Sequence, residues 1–320
     1  MKRSVHSQRR FQTKPKSFWP SYLALAESGE LARRADEAAR WYAHCRLCPN
    51  GCAVDRTKAA GGLCRSPDKA WVASHSVHHG EEPPISGARG SGTIFFTNCT
   101  MHCVFCQNFP ISQMGTGREV PDAELAAMVL DLQRRGCHNV NLVTPSHFVP
   151  SILRALVIAV EKDFRLPFVY NTSGYDSVEA LRLLDGVIDI YMPDIKYASN
   201  EMAKRYSMRG DYVERNRAAL KEMYRQVGRL KADDEGTAVR GLLVRHLVLP
   251  GGAAGSIESL RWLAEHVDPR LHLSVMSQYF PAHRAHEMPP MDRRVTPEEY
   301  KSVTDFVEAS EFQGWTQPFE

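Results

Sequence analysis

The sequence lacks a long apolar segment. Of its 320 residues 43% are hydrophobic, but no apolar run approaches the roughly 20 residues that a membrane-spanning helix needs. The first 17 residues also lack the apolar core of a secretory signal. We therefore expect a soluble, cytoplasmic protein with no membrane partner.

Acidic residues are absent from positions 1–17. This stretch carries six lysines and arginines, twice the formal net charge of +3 for the whole chain, so the remainder is slightly acidic. A basic arm contacts nucleic acid in some proteins and directs import into organelles in others, but a solvated tail has the same composition. We predict a disordered basic tail over residues 1–17 and no nucleic-acid partner.

Cysteine is scarce outside two short regions. Seven of the eight cysteines fall into an upstream group and a downstream group. The groups are Cys45, Cys48, Cys52 and Cys64, and then Cys99, Cys103 and Cys106. A chain of this length does not need the disulfide framework that stabilises small secreted scaffolds. The clustered thiols therefore indicate metal binding, whereas the solitary Cys137 is predicted to be a buried apolar residue.

From about residue 90 onward, apolar runs alternate with amphipathic helical segments. The six predicted strands occupy residues 93–98, 139–143, 167–171, 187–192, 241–250 and 271–279. Apolar strands that alternate with helices indicate a parallel sheet covered by helices. We predict an α/β fold, a partial (β/α)6 TIM-like barrel preceded by a cysteine-rich extension.

The predicted domain boundaries follow changes of pattern. After the tail we predict a helical and cysteine-rich metal-binding region over residues 18–88, the partial barrel over 89–290 and a helical extension over 291–320. The turn-rich stretch 78–92 links the first two of these regions. In the extension, TPEEY (296–300) is a capping box that predicts a helix starting after Thr296.

The downstream cysteines lie in the loop NCTMHCVFCQNFP, residues 98–110, directly after the first predicted strand. In α/β folds of this kind, chemistry lies at the C-terminal ends of the strands. Three thiolates hold three irons of a four-iron cluster and leave the fourth iron open. Three protein ligands and a water equally describe a catalytic zinc site.

The Cys-x3-Cys-x2-Cys spacing, with Phe105 just before the third cysteine, resembles the signature of the radical S-adenosylmethionine (SAM) superfamily. The resemblance implies that Cys99, Cys103 and Cys106 are catalytic and hold a 4Fe-4S cluster whose open iron binds SAM. One electron then cleaves SAM to methionine and a 5′-deoxyadenosyl radical, which abstracts hydrogen from the substrate. The resemblance further implies that Phe105 packs near adenine and that a flavodoxin- or ferredoxin-like protein donates electrons.

Polar residues follow or end the later strands, where this family binds SAM. The chain lacks the Gly-Gly-Glu element expected after the second strand and reads LVTPSHF there. The elements NTSG and MPDIK resemble the DTNG-like and DxK elements of pyruvate formate-lyase activating enzymes. We predict SAM contacts at Thr144, Ser146, Asn171, Ser173, Asp194, Lys196, Arg245 and Gln278.

Arg245 and two histidines lie in or near these elements. Arg245 is placed inside a strand, so it needs a polar cavity or an acidic partner, because an unpaired buried charge is costly. His147 and His246 are candidates for acting on the substrate, against the alternative of a packing role.

The upstream group has the spacing Cys45-x2-Cys48-x3-Cys52-x11-Cys64. Four thiols make a closed site, which suits either structural zinc or a second 4Fe-4S cluster. A CxxCPxxC element about fifty residues before the radical loop resembles pyruvate formate-lyase activating enzyme-related proteins, and this resemblance covers residues 45–282.

Two functions from different classes follow from these patterns. The first is a radical SAM oxidoreductase whose substrate is a small molecule, a peptide side chain or the glycine backbone of a glycyl radical enzyme. The alternative is a non-catalytic, zinc-stabilised module that binds nucleic acid or protein. Hydrogen abstraction leaves no residue-type signature comparable to a catalytic triad, so the substrate stays open.

Overall fold

The structure is a computed structural model that describes residues 19–319. Its strands are β1 (Ala70–His78), β2 (Ser91–Phe96), β3 (Arg118–Val120), β4 (Val140–Val143), β5 (Phe168–Thr172), β6 (Ile190–Pro193), β7 (Lys231–Ala232), β8 (Ala238–Leu247), β9 (His272–Met276) and β10 (Gln313–Thr316). Its helices are α1 (Tyr22–Glu27), α2 (Glu30–Arg40), α3 (Pro83–Ser86), α4 (Phe109–Ser112), α5 (Asp122–Arg134), α6 (Val149–Glu161), α7 (Val178–Leu183), α8 (Asn200–Ser207), α9 (Tyr212–Val227), α10 (Ser256–His266) and α11 (Pro297–Glu308). The predicted tail, residues 1–17, lies outside the described residues.

One sheet organises the fold. Its order is β10-β9-β8-β6-β5-β4-β2-β1-β3, and β7 pairs with β8 off this path. From β2 to β10 along this order the neighbouring strands are parallel. The six predicted strands correspond to β2, β4, β5, β6, β8 and β9, which confirms the α/β prediction of a mostly parallel sheet. The order has two ends, as an open partial barrel requires.

The sequence analysis missed four strands, β1, β3, β7 and β10, of which β3 and β10 form the two ends of the sheet. β1 lies in the region predicted to be helical and cysteine-rich, yet it pairs antiparallel with both β2 and β3. The C-terminal extension is not wholly helical, because β10 pairs parallel with β9. The sequence of β10, QGWT, has no apolar run, and its position in the sheet comes from its neighbour. The domain boundaries stay predictions.

The two faces of the sheet bury different residues, because side chains alternate along a strand. The face beneath the helices contributes Leu142 and Tyr170 to the main core. The opposite, inner face carries a smaller apolar cluster that includes Val169, Ile190 and Leu243. Further along the same strands, the inner positions become polar, which places charged groups at the C-terminal ends of the sheet.

Local signals in the sequence set several helix ends. Gly136 follows α5 with a φ of 79°, the left-handed conformation predicted for a glycine that ends a helix. At α11, the Thr296 hydroxyl accepts from the Glu299 amide at 3.2 Å, and the Glu299 carboxylate accepts from the Thr296 amide at 2.9 Å. The capping box is therefore confirmed. No helix among residues 19–319 is long and apolar enough to cross a membrane.

We expect Thr296→Ala to lower the free energy of unfolding by about 1 kcal/mol, because the Glu299 amide loses its acceptor. Thr304→Ala is the control, since Thr304 lies in the same helix and its hydroxyl donates back to the Lys301 carbonyl, a bond that does not stabilise helices. Urea unfolding measures both variants. Equal losses in the two would contradict the capping role.

Candidate functional site

The cysteine loop begins where β2 ends, two residues beyond Phe96. Asn98 and His102 adopt left-handed backbone conformations, with φ of 69° and 71°. Such φ values are uncommon outside glycine. At His102 the surrounding structure therefore holds the backbone in this conformation. The turns at these two residues keep Cys99, Cys103 and Cys106 within one compact loop before α4.

Each thiol of the loop has a hydrogen-bond partner. The Ser207 hydroxyl donates to Cys103 Sγ at 3.0 Å, and the Met101 amide lies 3.4 Å from Cys99 Sγ. Cys106 Sγ and the Ser112 hydroxyl are 3.1 Å apart. Hydrogen bonds to sulfur tune the potential of iron-sulfur clusters, so these partners suit thiolate ligands.

The pKa values show that the three thiols are neighbours. Burial, and then the nearby Cys103 and Cys106 thiols, raise the pKa of Cys99 to about 12. Burial also raises the pKa of Cys103, while the Lys196 ammonium counteracts it. A cation beside buried thiols favours the thiolate form that metal binding requires.

The donor set determines which metal group fits. Thiolates on one zinc lie about 2.3 Å from the ion and therefore close to each other. A 4Fe-4S cluster binds each cysteine through a different iron. Three thiols on one loop, each with a donor to its sulfur, fit such a cluster.

Three of the predicted SAM-contact residues form a charged network beside this loop. Asp194 accepts from Lys196 Nζ at 2.5 Å and from Arg245 Nε at 3.0 Å. Arg245 also donates to Asn171 Oδ1 at 2.6 Å. Burial alone would raise the pKa of Asp194, but Lys196 and Arg245 hold it below its ordinary value. The ends of β5, β6 and β8 thus converge on one polar site.

The residues after β4 have two different environments. Thr144 has a φ of 60°, an outlier for a β-branched residue, and its amide donates to the Asn171 carbonyl at 2.9 Å. Ser146 is buried, and its hydroxyl donates to Asp176 Oδ1 at 2.6 Å. Thr172 donates to the same carboxylate at 2.7 Å. Thr144 therefore lies next to the charged network, whereas the Ser146 hydroxyl is engaged by Asp176.

The remaining predicted contacts are spread around the loop. Phe105 is buried and packs edge-on against Tyr279, with ring centroids 5.8 Å apart. The Ser173 carbonyl accepts from the Tyr212 hydroxyl at 2.9 Å. Gln278 is exposed, and its carbonyl accepts from the Gln107 side chain at 3.0 Å. Phe105 is thus a buried residue of the cysteine loop itself, whereas the Gln278 side chain lies at the surface.

The two candidate histidines are buried. The His246 ring lies 2.7 Å from the Ile195 carbonyl and 2.8 Å from the Ser256 hydroxyl. The His147 ring lies 2.9 Å from the Thr97 carbonyl. Burial lowers the pKa of His147 to about 3 and that of His246 to about 4. Both rings are neutral near pH 7, and their partners are those of packing residues.

Sequence reasoning missed two acids in the segment predicted to be a linker. Glu81 Oε2 lies 3.8 Å from Arg245 Nη1, and Glu82 Oε1 lies 3.9 Å from Arg245 Nε. Both carboxyl side chains are less than 10% exposed. The available signal was Arg245 itself, because an arginine inside a strand requires acidic partners.

The upstream cysteines are also neighbours. Burial, and then the Cys64 thiol, raise the pKa of Cys48 to about 12, and Cys45 and Cys52 contribute in the same direction. The Asn50 amide group lies 3.6 Å from Cys48 Sγ, and the Leu63 amide lies 3.5 Å from Cys52 Sγ. Four adjacent thiols with N–H donors around them suit a closed metal site.

The upstream cysteine region packs directly on the radical loop. The Asn50 side chain that approaches Cys48 also donates to the Thr100 carbonyl at 3.1 Å. The His102 ring lies 2.8 Å from the Leu63 carbonyl, and the Asn98 side-chain Nδ2 donates to the Ser66 hydroxyl at 3.2 Å. A single side chain, Asn50, thus connects the two cysteine groups.

Comparisons with known proteins agree with this geometry. The family model described as the radical SAM superfamily matches residues 93–230. A Methanocaldococcus jannaschii protein described as uncharacterized is 30% identical over 298 residues, which cover 89% of this chain and 80% of that protein. Residues 93–230 form a radical SAM domain. A domain of this family implies an enzyme that uses SAM and a 4Fe-4S cluster.

Solved structures resemble the chain at low identity. Native anSMEcpe with bound AdoMet and Cp18Cys peptide has a TM-score of 0.47 at 9% identity, with 67% of this chain and 56% of that chain covered. Streptococcus suis SuiB bound to S-adenosylmethionine has a TM-score of 0.48 at 11% identity, with 69% of this chain and 48% of that chain covered. The chain therefore spans about half the length of these structures.

Proposed function

We propose that Cys99, Cys103 and Cys106 hold the 4Fe-4S cluster of this radical SAM enzyme. The observation that supports the assignment is the position of three neighbouring thiols at the end of the first parallel strand, next to Lys196. When bound, such a cluster supplies the electron that cleaves SAM reductively and starts hydrogen abstraction from the substrate.

The chain's own residues position SAM in this proposal. Lys196 offers a point charge to a carboxylate, and Asp194 offers acceptors to hydroxyl groups. Arg245 fixes Asn171 and Asp194 in place through its two hydrogen bonds. Thr144 presents backbone groups from its left-handed conformation. The contacts predicted for Phe105, Ser146, Ser173 and Gln278 remain part of the proposal.

We further propose that Cys45, Cys48, Cys52 and Cys64 hold a second 4Fe-4S cluster, with zinc as the alternative. Its support is the closed set of four thiols in direct contact with the radical loop. A flavodoxin- or ferredoxin-like protein is the proposed electron donor. Membership of the activating enzyme-related subfamily, and with it glycyl radical activation, is the finer hypothesis that NTSG and MPDIK support.

Anaerobic reconstitution followed by iron, sulfide and zinc analysis tests both assignments. We expect about four irons per chain if the upstream group holds zinc and about eight if it holds a cluster. Dithionite is expected to drive SAM cleavage, and Cys48→Ala should retain part of it. Fewer than about three irons per chain, with no cleavage, would overturn the proposed function.

A further inference from the structure

The inner face of the sheet carries a polar cluster of which the proposed chemistry uses only Arg245. Its members are Glu81, Glu82, Asn141, Arg245 and Ser274. Arg245 pairs in register with Ser274 across β8 and β9. Both acids lie within 4 Å of Arg245, and the Asn141 amide is close enough to the Glu81 carboxyl to counteract its raised pKa.

The segment that carries the two acids has a fixed position. The Asn139 side chain donates to the Ile85 carbonyl at 2.8 Å, and the Ser86 hydroxyl donates to the Glu81 carbonyl at 3.2 Å. Ile85 is fully buried in the apolar cluster of the inner face. Glu81 and Glu82 are therefore held against the interior by their own backbone.

Several buried polar atoms of this cluster have no partner among the described residues. They include Glu82 Oε2, Ser274 Oγ and Asn141 Oδ1, while the Asn141 side-chain N–H group faces the Glu81 carboxyl. Asn141 and Ser274 are fully buried, and Glu82 is 8% exposed. A buried polar group without a hydrogen bond costs about 1–3 kcal/mol. Three such side chains in one cluster indicate a ligand that supplies hydrogen bonds.

The charges of the cluster show which sign the ligand carries. Asp194 takes the close contacts of Lys196 and Arg245. Glu81 and Glu82 approach the Arg245 guanidinium less closely, at 3.8 and 3.9 Å. With both acids ionised, the site has one carboxylate more than its cations balance. Burial and the neighbouring Glu82 raise the pKa of Glu81 to about 7, so one proton held between the two acids supplies the missing positive charge. A cationic ligand can take the place of that proton, whereas an anionic ligand adds a further unbalanced charge.

We propose that this cluster binds the ammonium group of an amine-bearing substrate. An ammonium has three N–H donors and no acceptor, and the unpartnered oxygens available around Arg245 and its two acids belong to Glu82, Asn141 and Ser274. The inference rests on the proposed radical SAM function. Because Arg245 contacts both the acids and Asn171, an amine held here lies next to the residues proposed for SAM.

The test is calorimetric titration of the reconstituted full-length protein, without SAM or reductant, with n-butylammonium chloride. We expect saturable binding, with n-butanol and sodium butyrate binding at least about tenfold more weakly, because they lack the charge or carry the opposite one. Glu82→Gln is expected to weaken n-butylammonium binding at least about tenfold. Glu265→Gln, whose side chain is 59% exposed, is the matched control and should bind as the wild type does.

Three outcomes would overturn the proposal: no saturable binding of n-butylammonium, equal or tighter binding of butyrate, or unchanged affinity in a folded Glu82→Gln protein. If that variant does not fold, Ser274→Ala replaces it, with an expected loss of about threefold or more. The titration contains neither SAM nor an electron donor. A negative binding result therefore says nothing against SAM cleavage, and a failure to cleave SAM in the separate assay says nothing against amine binding.

Discussion

Cys103→Ala is expected to reduce SAM cleavage to below about 1% of the wild-type rate, because a missing thiolate removes one of the three proposed cluster ligands. The Cys103 sulfur accepts a hydrogen bond from the Ser207 hydroxyl, and the Lys196 ammonium counteracts the rise in the Cys103 pKa that burial causes. The measurement is formation of methionine and 5′-deoxyadenosine under dithionite, alongside iron analysis. Only the metal of the upstream group should remain.

Cys137→Ala is the control for this experiment. Cys137 is also a buried cysteine, 1% exposed, but it belongs to the apolar core. Its replacement is expected to cost about 1 kcal/mol of stability and to leave SAM cleavage per folded protein within about twofold. Cleavage and iron content in Cys103→Ala that match those of Cys137→Ala would refute the cluster assignment.

The features that the sequence predicted well are local. β2, β4, β5, β6, β8 and β9 are apolar runs that alternate with helical periodicity, and this pattern needs no knowledge of distant residues. The capping box at Thr296 is a signal within four positions. The downstream cysteines fall within a stretch of eight residues, so the chain itself keeps them close together.

The features that the sequence hid depend on contacts between distant residues. Glu81 and Glu82 lie in a turn-rich segment, and only the folded chain places them against Arg245. The Ser146 hydroxyl was predicted at the SAM site, but Asp176, thirty residues later, engages it. No sequence pattern identifies the acids that contact Arg245 or the carboxylate that binds Ser146, because a buried ion pair or hydrogen bond needs no fixed spacing along the chain.

The relation between the two cysteine groups was likewise absent from the sequence. Their spacing suggested two separate metal sites, whereas Asn50 approaches Cys48 and also binds the Thr100 carbonyl. A buried side chain, Arg56, also lies in this region. Its guanidinium lies 3.7 Å from Cys45 Sγ and donates to the His147 carbonyl at 2.8 Å. Arg56 therefore ties the upstream group to the end of β4.

Arg56→Leu is expected to lower the free energy of unfolding by about 3–5 kcal/mol. The side chain is 1% exposed, and its donors also reach the Ser66 and Pro67 carbonyls at 3.0 and 2.5 Å. Its guanidinium lies 4.6 Å from the centroid of the Tyr42 ring. Leucine fills part of the volume but leaves the buried Ser66 and His147 carbonyls and the half-buried Pro67 carbonyl without these donors. Each buried carbonyl without a donor costs about 1–3 kcal/mol.

Arg46→Leu is the matched control, since Arg46 is exposed and its guanidinium lies 4.4 Å from the Trp41 ring centroid. An exposed cation–π contact contributes only about 0.5–1 kcal/mol. Urea unfolding under anaerobic conditions compares the two variants, and metal analysis reports the upstream group. We expect Arg56→Leu to lose metal there as well, because Cys45 loses its guanidinium partner. Equal stabilities and metal contents in the two variants would show that water satisfies the carbonyls and that Arg56 does not hold the upstream group in place.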